Sequence, residues 1–152
     1  MNTIDAKDYI MSHKGSMKLN GVELLELKEL QCKSSPNQKT LNTMNSSSEI
    51  ERTVSYKNEI TFKINKVSTR FKKKLLDNAK ELKETVYDVE FWAENDDGEQ
   101  EYYTIKNAWF KGDINWSSLN SNGDFTEESY TMGFLIENMD MPNQITTSDD
   151  DW

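Results

Sequence analysis

Only one cysteine and one histidine occur among the 152 residues, Cys32 and His13. A lone cysteine cannot close an internal disulfide, so nothing points to an oxidising compartment and a cytosolic origin is the default. Ser-His-Asp, Cys-His and zinc schemes would all have to use His13, which sits in a stretch without clear period and has no second ligand at metal spacing. The six glycines form neither a phosphate-binding loop nor a dinucleotide fingerprint. No apolar run approaches the roughly 20 residues of a membrane helix, and the first residues lack the basic-then-apolar order of a secretory signal. Asp96, Asp97 and Glu99 do not have the spacing of a twelve-residue calcium loop, and a hairpin turn explains them more simply. Acids are too abundant for placement of a catalytic carboxylate pair to be read from them. The expectation is a non-enzymatic protein with no catalytic residue, metal or cofactor.

Cations are scarce in the second half. Residues 1–66 carry a net charge of +2, residues 67–85 one of +3, and residues 86–152 one of −14, because only Lys106 and Lys111 oppose sixteen acids there. Such a surface repels a polyanion, so sequence-specific nucleic-acid binding is not expected. The segregation suits head-to-tail contact between a mildly basic face and an acidic one, as it also suits a plain solvated acidic surface.

Aromatics make up 11% of the chain against 30% charged residues, which predicts one folded domain with a small core. Residues 1–14 read as an N-terminal arm. Ser16–Leu19 and Val22–Gln31 flank Asn20-Gly21, the dipeptide that best supplies a type I′ turn, and predict a hairpin. Residues 33–48 are almost wholly polar and contain Pro36, so they read as a long inter-strand loop. Leu41 and Met44 in it gain nothing from water and would be buried on docking to a neighbour. In Glu49–Asn65 the apolar residues Ile60, Phe62 and Ile64 alternate with polar ones, a half-buried strand. The period then becomes helical, with Ser68 or Thr69 as cap, Phe71, Leu75, Leu76, Ala79 and Leu82 inward, and Lys72, Lys73, Lys74 and Lys80 outward. Val86–Glu94 and Glu99–Lys106 predict a hairpin about Asn95–Gly98, and Ala108–Ser118 and Phe125–Asn138 another about Asn120–Gly123. Tyr87, Val89 and Phe91 share one core face, and Met132, Phe134 and Ile136 another. Met141-Pro142 is expected to stop the last strand, leaving residues 143–152 as an acidic tail.

Three stretches, GSMKLNGVELLELKELQCK, ITFKINKVSTRFKKKLL and NAWFKGDINWSSLNSNGDFTEESYTMGFLIENMDMP, resemble the tail tube proteins of contractile-tailed phages, in particular the PBSX-like kind of prophages and phage-tail-like bacteriocins. The resemblance runs from about Gly15 to Pro142. It implies a mainly β (α+β) subunit, a β-barrel or sandwich with one flanking helix, that forms hexameric rings stacked head to tail into a hollow tube. It further implies tail sheath, baseplate and terminator proteins as partners, assembly in the bacterial cytoplasm, and residence in a phage tail or tail-like particle. Leu41, Met44, Lys72, Lys73, Asp96 and Asp97 are the candidates for inter-subunit contact. A secretion-system tube is a second reading within the same class. A third is a monomeric β-barrel that binds a small ligand or peptide through Trp92, Tyr102, Tyr103, Trp109 and Trp116.

Overall fold

The computed structural model describes residues 6, 9, 10, 14–45, 47–66, 69, 71–119, 121, 123 and 126–146. The predicted type I′ turn is present: Asn20 and Gly21 have φ of 50° and 82° and join strands β1 (Gly15–Leu19) and β2 (Val22–Glu23). The second arm is shorter than expected, because Leu24 turns inward and is buried while Leu25 is exposed. The chain then resumes as β3 (Leu27–Leu41), pairs with β4 (Ile50–Asn65), and crosses through helix α1 (Lys72–Lys80) to β5 (Val86–Glu94), β6 (Gln100–Lys111), β7 (Glu127–Gly133) and β8 (Met139–Asn143).

All ladders are antiparallel. Strand order is β2-β1-β5-β6-β7-β4-β3, with β8 on the outer edge of the first half of β6. The mainly β class with one helix therefore holds, but the sheet is not closed into a barrel. Its two ends approach at one point. The Leu24–Glu26 connection bridges them, as the Leu24 N–H donates to the Met17 carbonyl and the Asn65 N–H to that of Glu26. Away from this bridge β1 and β3 diverge and leave a seam.

Alternation supplies the core. Met17, Leu19, Ile60, Phe62, Ile64, Val89, Phe91, Ile105, Tyr130 and Met132 point to one side and are buried, as period-two patterning requires. In β6 the inward parity changes at Asn107, whose φ is 58°, so that Ile105 and then Ala108 and Phe110 face the core. This is a β-bulge, and the Asp88 carboxylate holds it by accepting the Asn107 N–H at 3.1 Å. The bulge merges what the sequence suggested were two strands. Phe62 is fully buried and stacks on Tyr130 with ring centroids 5.5 Å apart; truncating such a residue to alanine costs about 3–5 kcal/mol.

Four further expectations are corrected. Residues 33–41 are strand, so the loop shrinks to the tip between Leu41 and Ile50. Their polar, proline-containing sequence shows no alternation because the described residues cover neither face of this part, and alternation appears only where one face is buried. Residues 113–119 run without strand pairing, and Ile136 lies in a 3-10 turn (Ile136–Asn138) rather than on the core face. Met141 and Pro142 lie inside β8, an edge strand where a missing N–H is tolerated.

Helix α1 departs from its helical wheel. Phe71 and Leu75 are buried, but Leu76, Ala79 and Leu82 are exposed, and Lys72 is buried where an outward lysine was expected. A charge partner explains the inversion: the Lys72 ammonium is paired with the Glu128 carboxylate of β7. Phe71 stands at the N-cap without a side-chain cap, its carbonyl accepting from Leu75, and Lys72 N–H bonds the Thr69 carbonyl. Ser68, residues 1–5, 7, 8 and 11–13 of the arm, Asn120, Asn122 and Phe125 of the last expected hairpin, and residues 147–152 of the tail lie outside the described residues.

Candidate assembly interface

Beyond Glu59, where β7 leaves its flank, β4 is paired among the described residues only with β3. The two strands continue alone for about eight residues, a ribbon of roughly 26 Å at 3.3 Å per residue. A two-stranded ribbon is marginal by itself in water. This one also exposes Leu41, Met44, Ile50, Val54 and Tyr56, with Met44 at its tip fully accessible. On its far side the 15-residue strand β3 has no paired neighbour among the described residues. A long open edge is a template for another strand unless it is blocked. Lys28, Lys33, Lys39 and Pro36 lie on it and disfavour indiscriminate pairing, while the bulges at Lys28 and Val54 add local twist.

At the base of the ribbon lies a groove of about 620 Å³ lined by Val54, Tyr56, Asn58, Trp109, Leu135 and Ile136 among others. Asn58 is buried, its amide donating to the Phe134 carbonyl at 3.0 Å, and its Oδ1 has no acceptor role filled. Lys111 closes one rim by bonding Glu59 at 2.8 Å. That bond is the main reason the Glu59 carboxyl is held below the ordinary range.

A second groove, about 950 Å³, follows the seam between β3–β4 and β1–β5, with Leu27, Leu30, Phe62, Phe91 and Tyr103 on its walls. Burial pushes the thiol of Cys32, on β3, up to about 11, so it behaves as a small apolar residue.

The residues singled out from sequence do not form one site. Leu41 and Met44 sit together at the ribbon tip. Lys73 is exposed on α1, whereas Lys72 is turned into the molecule and committed to Glu128. Asp96 and Asp97 occupy the β5–β6 turn, where Asp96 pairs with Lys14 and the Asn95 side chain accepts the N–H groups of Asp97 and Glu99. The aromatics do not converge on a pocket. Trp92 stacks on Tyr102, Tyr103 stacks on Phe91 of the opposite parity, Trp109 lines the ribbon groove, and Trp116 lies in the unpaired 113–119 stretch. Ile50, Val54 and Tyr56 were missed. Their signal was the continuation of the even-numbered apolar parity of Ile60, Phe62 and Ile64 out to a region that the described residues leave exposed.

The sequence profile of a family described as phage tail tube protein matches residues 2–143. The chain belongs to the phage tail tube protein family. It is thus a tail tube subunit, a component of a phage tail-like particle. No curated protein matches the chain. Solved structures share the tail tube subunit's fold. An extracellular contractile injection system, the PVC sheath-tube complex in the extended state, superimposes with a TM-score of 0.64 at 13% identity, over 88% of this chain and 92% of that one. The PVC sheath/tube terminator in the extended state gives 0.63 at 11% identity, over 88% and 94%. The anti-feeding prophage baseplate gives 0.60 at 10% identity, over 94% and 98%. Among the tail tube subunit's described residues no helix is long and apolar enough to cross a membrane.

Proposed function

We propose that copies of this tail tube subunit form hexameric rings that stack head to tail into the inner tube of a contractile tail. The β3–β4 ribbon carries the reading: it is a two-stranded extension with exposed apolar side chains and an open edge, which gains a hydrogen-bonded and apolar environment only from another copy. The tail sheath, baseplate and terminator proteins are the partners this reading implies, in keeping with the complexes in which similar folds occur. Subunits assemble in the bacterial cytoplasm and then reside in the particle. The role is structural and non-enzymatic, and the acidic second half of the chain gives the tube a surface that repels phosphate.

Sedimentation of the full chain tests the ribbon's part in this. The parent chain is expected to form rings or longer polymers as concentration rises, and a Leu41→Ser, Met44→Ser, Ile50→Ser variant to stay monomeric with an unchanged thermal midpoint. Equal polymerisation of the two proteins would remove the ribbon tip from the interface.

A further inference from the structure

We propose that Glu128 is an acid-sensitive latch fastening an outer layer, made of α1 and the stretch 113–119, to the sheet. Glu128 is only 5% exposed. Its carboxylate receives the ammonium of Lys72 from α1, that of Lys66 from the segment after β4 at 3.5 Å, and the hydroxyl of Tyr130 from its own strand. Lys72 also donates to the Trp116 carbonyl at 2.5 Å. The Glu128 carboxylate therefore ties β7 to the helix and to Lys66, and through Lys72 to the unpaired stretch.

Apart from Glu128, the layer is held chiefly by Phe71, whose ring packs against those of Phe62, Tyr87, Phe110 and Tyr130, and by the Asn78 amide, which donates to the Thr85 hydroxyl at 2.8 Å. Nine residues are too few for a helix to persist by itself, and α1 has no side-chain cap and no acid in its first turn. Its buried apolar contacts are those of Phe71 and Leu75. In the 113–119 stretch Ile114 packs against the core, while Trp116 and Leu119 are exposed. The sheet does not share this dependence, because β7 is laddered to β4 along its whole length and to β6 at one end.

The groups facing Glu128 are Lys72, Lys66 and Tyr130; its register partner on β4 is the apolar Ile64. Burial pulls the Glu128 carboxyl upward, but the bonds from Lys72 and Tyr130 and the charges of Lys72 and Lys66 outweigh it and hold the group below the ordinary range. A depressed carboxylate stabilises the fold above its unfolded value and ceases to do so as pH falls through the folded one. Protonation there leaves Lys72 buried without its counter-charge, a strongly unfavourable state, which is relieved when α1 swings out and releases Trp116.

Hydrogen exchange on the full-length chain tests the latch. In Glu128→Gln at neutral pH, protection of the Leu75–Lys80 amides is expected to fall at least tenfold, and that of β4 and β5 core amides to stay within about twofold. In the parent chain the same selective loss is expected as pH is lowered below the carboxylate range, which covers the case in which the variant does not fold. Equal loss of protection in helix and sheet, or unchanged helix protection in both experiments, would overturn the proposal.

Discussion

The indole of Trp109 lies so close against the backbone of its cross-strand partner Gly133 that a Cβ on residue 133 would fall 2.8 Å from the ring. Trp109 also lines the ribbon groove, so the contact fixes one groove wall. Gly133→Ala is expected to destabilise the subunit by about 1–3 kcal/mol, the usual cost of overpacking, and Gly133→Val by more. Urea unfolding measures this; an unchanged midpoint would mean that the indole moves freely.

Leu82 ends α1 in the left-handed region, with φ of 56° and 94% exposure. This conformation costs a leucine about 1–2 kcal/mol and glycine almost nothing. Leu82→Gly should therefore raise stability by about 1 kcal/mol, the gain being reduced by glycine's greater freedom when unfolded. Thermal denaturation reports the sign, and a lower midpoint would show that Leu82 makes a stabilising contact.

The native thiol should react slowly. With its Cys32 group pushed up to about 11 by burial, little thiolate is present at pH 8, and alkylation is expected to accelerate more than tenfold on unfolding in urea. Equal rates in the two states would place Cys32 on an open surface.

Alkali should weaken the fold between about pH 10 and 12. Burial first, then the Glu101 hydrogen bond and charge, raise the Tyr103 phenol to about 12, and burial and Glu128 raise that of Tyr130. A raised tyrosine keeps its proton when folded and loses it when unfolded. Its stabilising effect is therefore complete below the ordinary value near 10 and is lost as pH climbs from about 10 to 12. Tyr103→Phe should flatten that part of the stability curve, as followed by tyrosinate absorbance and circular dichroism.

The parts of this fold legible in the sequence are those that neighbouring residues fix among themselves. Asn20-Gly21, the alternation of Ile60, Phe62 and Ile64, and the strand Val86–Glu94 all announce themselves through local chemistry. Lys33–Leu41 does not, since a ribbon exposed on both faces carries no period. Lys72 reads as an outward lysine because its partner Glu128 is 56 positions away, and the Asn107 bulge is hidden because it depends on Asp88 in another strand. Of the candidate contact residues, Leu41 and Met44 stand out in the sequence by their cost in water, and both are exposed at the ribbon tip. The Trp109–Ile136 groove does not stand out, being assembled by the register of three strands.

Negative-stain electron microscopy of the purified chain across a concentration series addresses self-assembly most directly. Hollow rings, or tubes built from them, are expected at high concentration, with the Leu41, Met44 and Ile50 variant showing none. A monodisperse monomer at every concentration, even with preformed tube ends added as seeds, would contradict assembly through the ribbon.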